Sequence, residues 1–241
     1  MEGIERIQIS TTATRFGELP ESITIRVREP GSAFTHGAAL MLTMIGAGPL
    51  LLKSSVCGSS VTVASMWVFL ISACLLYGAS TIYHCIVGDR RLTERLRRID
   101  HMSISILIAG TYTPICLTAL KGRTGYVLLA AIWILASVGI IFKALWYTCP
   151  RWISSTLYLI MGWLCIAALP AILRSLPLEA FGWLLAGGIL YTAGAVIYAM
   201  KLRSFNARHL YFGSHEIFHC FIMAGTFCHY IVMFNYVSMI S

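Results

Sequence analysis

Charge is what this 241-residue sequence has least of: Asp, Glu, Lys and Arg make up 12% of it, about half the share in an ordinary soluble domain. Set against 58% hydrophobic residues, that scarcity excludes a chain written for water. A cysteine framework is absent too. The eight cysteines form no CxxC pair and no secreted-domain spacing, and most fall inside apolar stretches, where they read as small buried hydrophobes. Residues Met1 to Pro30 hold no apolar core of signal-peptide length, so the first apolar stretch is expected to serve as the insertion signal. No convincing internal repeat of the transporter kind is present.

What is there in quantity is uncharged apolar sequence. Windows free of Asp, Glu, Lys and Arg run from Ala33 to Leu52, Val61 to Val87, Met102 to Leu120, Gly125 to Phe142, Trp152 to Leu173, Phe181 to Met200 and Ile217 to Ser241. Each reaches the length needed to cross a hydrocarbon core about 30 Å thick. The expected fold is therefore all-α, a polytopic integral membrane protein with a seven-transmembrane-helix bundle. It divides into an N-terminal arm over residues 1–32, expected to be loosely ordered or surface-lying, and a seven-span domain over residues 33–241. Alternate connections differ sharply in Lys and Arg: fourteen on the side of the N-terminus against four on the other. The positive-inside rule then puts the N-terminus in the cytoplasm and the C-terminus outside. The net charge of +8 is explained by these short basic connections. With no basic amphipathic face or tail, nucleic acid is not expected as a partner, and membrane lipids are. Oligomeric state is not legible.

Ionisable groups within or bordering spans are costly, so each is a candidate for function. The second window ends in YGASTIYHC, placing Ser80 and His84 on one face at i and i+4. RRIDHMS opens the third span with Asp100 and His101, and GSHEIFHCF opens the seventh with His215 and His219, again i and i+4. By the alternating topology, His84, Asp100, His215 and His219 share one depth, near the cytoplasmic surface. A histidine pair alone fits either metal ligands or packed imidazoles; a third histidine at matching depth with a carboxylate beside it favours the metal. Three neutral imidazoles, an open position and an acid/base group are the set expected of catalytic Zn2+. Asp100 would move the proton. Ser80 would either orient Asp100 or a water, or simply bond the carbonyl one turn back.

The sequence HEIFH matches the HExxH of metalloproteases literally, but that reading needs a soluble cleft and a further ligand. His101 points about 100° away from Asp100 around a helix, which favours interfacial packing. His36 and His229 are expected to make interhelical hydrogen bonds, and His209 belongs to a basic loop. Trp133, Trp146, Trp152, Trp163 and Trp183 read as interface anchors or core.

These residues resemble the haemolysin III branch of the progestin and adipoQ receptor superfamily. The likeness is carried by FTHG, STIYH, DH followed by LIAGTYTP, GIIFK, STLYLIMGW, and HEIFHCF through CHY, in that order from about Phe34 to Tyr230. It implies a seven-helix bundle in the bacterial inner membrane with a zinc site of His84, His215 and His219, completed by Asp100 and Ser80. Because the superfamily looks like the alkaline ceramidases in its motifs, it also implies metal-dependent hydrolysis of a lipid amide or ester. Two other classes stand beside it: a pore-forming cytolysin, as the family name has it, and a lipid-sensing receptor or regulator of membrane homeostasis with structural zinc. The fourth zinc position separates enzyme from structural site, since closure by Asp100 would leave no room for water.

Overall fold

Hydrocarbon offers no partner to a backbone N–H or C=O, so a chain this apolar can cross it only as helices that satisfy themselves. The computed structural model describes residues 5–8, 24–200, 202–209 and 212–241. Among them seven helices are long and apolar enough to span a membrane. They are α1 (Pro30–Cys57), α2 (Ser60–Cys85), α3 (Arg90–Pro114) with a π-helical turn at Ile115–Ala119, and α4 (Arg123–Leu145). The fifth span joins α5 (Arg151–Trp163) through a 3₁₀ turn at Leu164–Ala168 to α6 (Leu169–Ser175). Then come α7 (Leu178–Met200), the short α8 (Arg203–Arg208), and α9 (Ser214–Asn235) with a last 3₁₀ turn at Val237–Met239. The all-α membrane class is borne out.

Most of the N-terminal arm lies outside the described residues. Its described parts form two four-residue strands, β1 (Glu5–Gln8) and β2 (Thr24–Val27), paired antiparallel with Glu5 opposite Val27. Helix boundaries differ from the apolar windows in an instructive way. Residues Arg90 to Leu96, which precede the span opening expected at RRIDHMS, belong to α3, whose start is capped by the Asp89 carboxylate accepting from Leu92 N–H at 2.7 Å. Helix formation needs only a good cap and helix-forming side chains, not apolarity, so the basic segment extends the span.

The spans close into a ring in which α1 packs on α2, α2 on α3, α3 on α4, α4 on the fifth span, α5 on α7, α7 on α9, and α9 back on α1. Helix α3 also touches α5 and is the most enclosed span, whereas α1 is the least. The outer face is apolar, with side chains such as Ile45, Ile134 and Leu145 exposed as lipid-facing residues must be. Inside, polar groups find one another: Tyr77 Oη donates to Thr226 Oγ1 at 2.7 Å, and Tyr191 Oη lies 2.9 Å from the same hydroxyl, tying α2, α7 and α9. The break in the fifth span is covered by Tyr112. Its hydroxyl meets the carbonyls of Met161 and Gly162 and accepts from Cys165 N–H, all within 3.0 Å. Trp133 and Trp163, both half-buried, donate to Thr113 and Thr192 across helix pairs.

Close approach of α2 and α3 depends on Gly110, where an added Cβ would come within 2.1 Å of Ser72 Oγ and 2.6 Å of Ser72 Cβ. Gly110→Ala should therefore cost about 1–3 kcal/mol by overpacking, measured as a lower unfolding midpoint in detergent. Pairing it with Ser72→Gly should recover part of that loss; an unchanged midpoint in Gly110→Ala would mean that the two helices do not cross so closely.

Candidate metal centre

Antiparallel neighbours bring the end of α2 and the starts of α3 and α9 to one end of the bundle, the end that carries β2 and the start of α1. There His84, His215 and His219 converge, and one ligand-capable atom from each lies within 4.8 Å of the others. His84 and His219 are buried; His215 is partly open. His84 Nε2 and His215 Nε2 are 3.4 Å apart, close to the separation of about 3.3 Å that two nitrogens take on a tetrahedral zinc with bonds of about 2.0–2.1 Å.

The other nitrogens of two of these rings are already engaged. Arg28 N–H and Glu29 N–H donate to the last carbonyls of α2, those of Cys85 and His84, at 3.3 and 3.0 Å. That pairing sets the Glu29 side chain against His84, whose Nδ1 hydrogen-bonds the carboxylate. Thr35 Oγ1 donates its single proton to the Ser32 carbonyl at 2.9 Å, so toward His219 Nδ1, 3.0 Å away, it can only accept. Both partners thus fix the Nδ1–H tautomer and leave an Nε2 lone pair free on each ring. Lone pairs from neutral imidazoles directed into one space fit a cation between them. Burial raises the pKa of Glu29, but the hydrogen bond with His84 and the positive charge of Arg28 beside it hold the carboxyl below its ordinary range. Glu29 is therefore an anion available to polarise its histidine.

The other sequence candidates fall as follows. Asp100 is buried and lines the cavity below the histidines, but it stands outside the group of convergent ligand atoms. Ser80 is fully buried beside Asp100, yet its hydroxyl makes no well-formed hydrogen bond, so of its two readings the bond to a carbonyl one turn back is not made. The literal HExxH match dissolves on inspection of Glu216: one oxygen takes a bond from Ser32 Oγ and the other accepts from Gly213 N–H at 2.8 Å, a helix-capping role. His36, expected to bond across helices, instead stacks on His219 with ring centroids 3.5 Å apart, and neither of its nitrogens has a partner. His229 stacks on Tyr191, again without the expected hydrogen bond, and its Nδ1 is unpartnered. His101 lines the cavity instead of an outer interface, because the start of α3 is enclosed by α5. His209, as expected, sits in a polar connection, bonding the Phe205 carbonyl at 3.0 Å.

Below the histidines a cavity of about 380 Å³ extends along the bundle from Asp100, at one end of α3, to Ile115, at the other. Fifteen helical residues separate the two, a depth of about 22 Å. Its walls are mainly apolar, with Leu107, Ile172 and Phe181 among them, and His215 and His219 sit at its head.

A family profile described as "Haemolysin-III related" matches residues 25–230. The chain belongs to this family. It is 37% identical to "Hemolysin-3 homolog" of Bacillus subtilis, over 82% of this chain and 89% of that protein. With "Hemolysin-3" of Bacillus cereus the identity is 39%, over 82% and 86%. A more distant likeness, 23% identity over 85% and 82%, joins it to human "Monocyte to macrophage differentiation factor". No solved structure matches. Seven apolar spans together with these bacterial haemolysin III relatives make the chain an integral multi-pass protein of the bacterial plasma membrane.

The haemolysin III chain's two outer partners generate a direct prediction. Glu29→Gln and Thr35→Ala should each weaken metal binding by about 10- to 100-fold, read by competition with a chelator, while the protein stays folded. Affinity unchanged in both would show that the histidines are not oriented by these groups.

Proposed function

We propose that His84, His215 and His219 bind Zn2+ and that the protein is a zinc-dependent hydrolase of lipid amides or esters. The reading is carried by one juxtaposition: imidazole lone pairs converge at the head of a long apolar cavity that also holds a buried carboxylate, Asp100. Three protein ligands without Asp100 leave a fourth position, as catalytic zinc requires. Bound there, zinc supplies Lewis acidity to a scissile carbonyl and to the attacking water. Asp100 takes the proton from that water and returns it to the leaving amine or alkoxide, so that water's oxygen ends on the acyl carbon and the proton on the departing group. Ser80 is buried beside Asp100, and its hydroxyl would orient the carboxylate by donating to it when the site is filled. The apolar walls hold the acyl chain and exclude bulk water. The basic connections favour a cytoplasmic location for this end of the bundle.

The printed names of the bacterial relatives favour a second reading, cytolysis. A chain apolar along its whole spanning length must insert during synthesis, so lysis would follow from overexpression in the producing membrane, not from secretion. A lipid-sensing regulator is the third reading, with zinc structural and the cavity occupied without turnover.

Release of free fatty acid from a panel of long-chain amides and esters, by zinc-loaded protein in lipid nanodiscs, tests the proposal. Asp100→Asn should lower the rate by about 10²- to 10⁴-fold with zinc content unchanged. Stoichiometric zinc with no turnover across the panel would contradict hydrolysis and favour the regulator.

A further inference from the structure

The fourth span hides a charge that its sequence presents as a loop residue. Lys143 lies in the last turn of α4 with only 2% of its surface exposed. A lysine at a span end usually extends its amine to water along an apolar stem, but this one turns inward. Its Nζ donates to Ser154 Oγ at 2.5 Å and to Cys149 Sγ at 3.1 Å, both of them buried. No carboxylate among the described residues forms an ion pair with Lys143. An ammonium without a counter-charge in so dry a place is costly, and its third N–H remains to be used.

Lys143 and Ser154 line the same cavity that His215 and His219 head. Beside them Tyr198 also lines the cavity, with the Arg151 guanidinium 4.9 Å above its ring, so a second positive charge stands at this end. Everything deeper in the cavity is mainly aliphatic or aromatic. A buried cation with a free donor and a hydroxyl beside it, at the mouth of a long apolar cavity, matches a molecule with an anionic oxygen group at one end and an alkyl chain at the other.

We infer that Lys143 and Ser154 form an anion subsite, separate from the histidine cluster, that holds the charged headgroup of a single-chain amphiphile whose tail fills the cavity. The carboxylate of a fatty acid and the phosphate of an alkyl phosphate share the required chemistry. The inference concerns binding and does not rest on hydrolysis.

Binding of four probes to the full-length protein in phosphatidylcholine nanodiscs tests it: oleate, oleyl phosphate, oleyl alcohol and inorganic phosphate. The wild type should bind at least one of the two anionic chains about ten-fold or more tighter than the alcohol, and whichever is preferred names the headgroup. Inorganic phosphate should bind weakly. Lys143→Met, which keeps the side-chain length and removes the charge, should erase the preference, Ser154→Ala should reduce it, and Lys143→Arg should retain part of it. Lys53→Met, which removes a lysine outside the cavity, should leave the preference in place. Equal affinity for alcohol and anions in the wild type overturns the inference, as does a preference that survives Lys143→Met or disappears with Lys53→Met. Inorganic phosphate binding as tightly as oleyl phosphate would overturn the amphiphile assignment. Unfolding midpoints of each variant separate lost binding from lost fold.

Discussion

In a hydrocarbon environment every polar group has to find its partner within the protein, and this constraint organises the bundle. Over most of its length the rule is obeyed: Tyr77 and Tyr191 share Thr226, Tyr112 covers the break in the fifth span, and serine and threonine hydroxyls bond carbonyls one turn back. One end breaks it. Among the described residues, Ser80 and both nitrogens of His36 have no partner, and the free lone pairs of His84 and His219 are directed toward a common space. Ser105 and His229 leave single unpaired atoms further along the bundle, but only at this end do unpaired groups and lone pairs gather around one space, and that marks the place where something other than the chain completes the structure.

Two layers build that end. Imidazoles from α2 and α9 form the inner one, and their orientation is fixed from outside by Glu29 and Thr35, which both belong to the entry into α1. The hydrogen bonds from the backbone of Arg28 and Glu29 to the end of α2 therefore do two things at once: they satisfy helix-terminal carbonyls and they hold the carboxylate that sets the His84 tautomer. The first span, least enclosed of the seven, has a purpose here beyond spanning.

Sequence alone made much of this legible because the signals were of the strong kinds. Windows without charge read as spans, and histidines at i and i+4 gained meaning once alternating topology put His84 at their depth. What escaped notice was set by tertiary contact. Glu29 precedes the first apolar window and shows no pattern; only backbone pairing with α2 brings it to His84. Lys143 lies one residue past the window ending at Phe142, and hydropathy cannot tell a lysine reaching for water from one folded inward. Sequence places His36 and His229 by the apolar windows around them and His101 by its angle from Asp100, whereas each faces a ring or the cavity, because helix rotation within the bundle is decided by packing partners that periodicity in so apolar a chain does not reveal.

The central claim is that the convergent histidines hold zinc. Elemental analysis of the detergent-purified protein, prepared without chelators, tests it most directly when wild type is compared with His84→Ala and His215→Ala. About one zinc per wild-type chain and little in either variant is the predicted result. Wild-type protein that is folded and free of zinc, or zinc that persists in both variants, would contradict it and return the three histidines to a packing or proton-binding role.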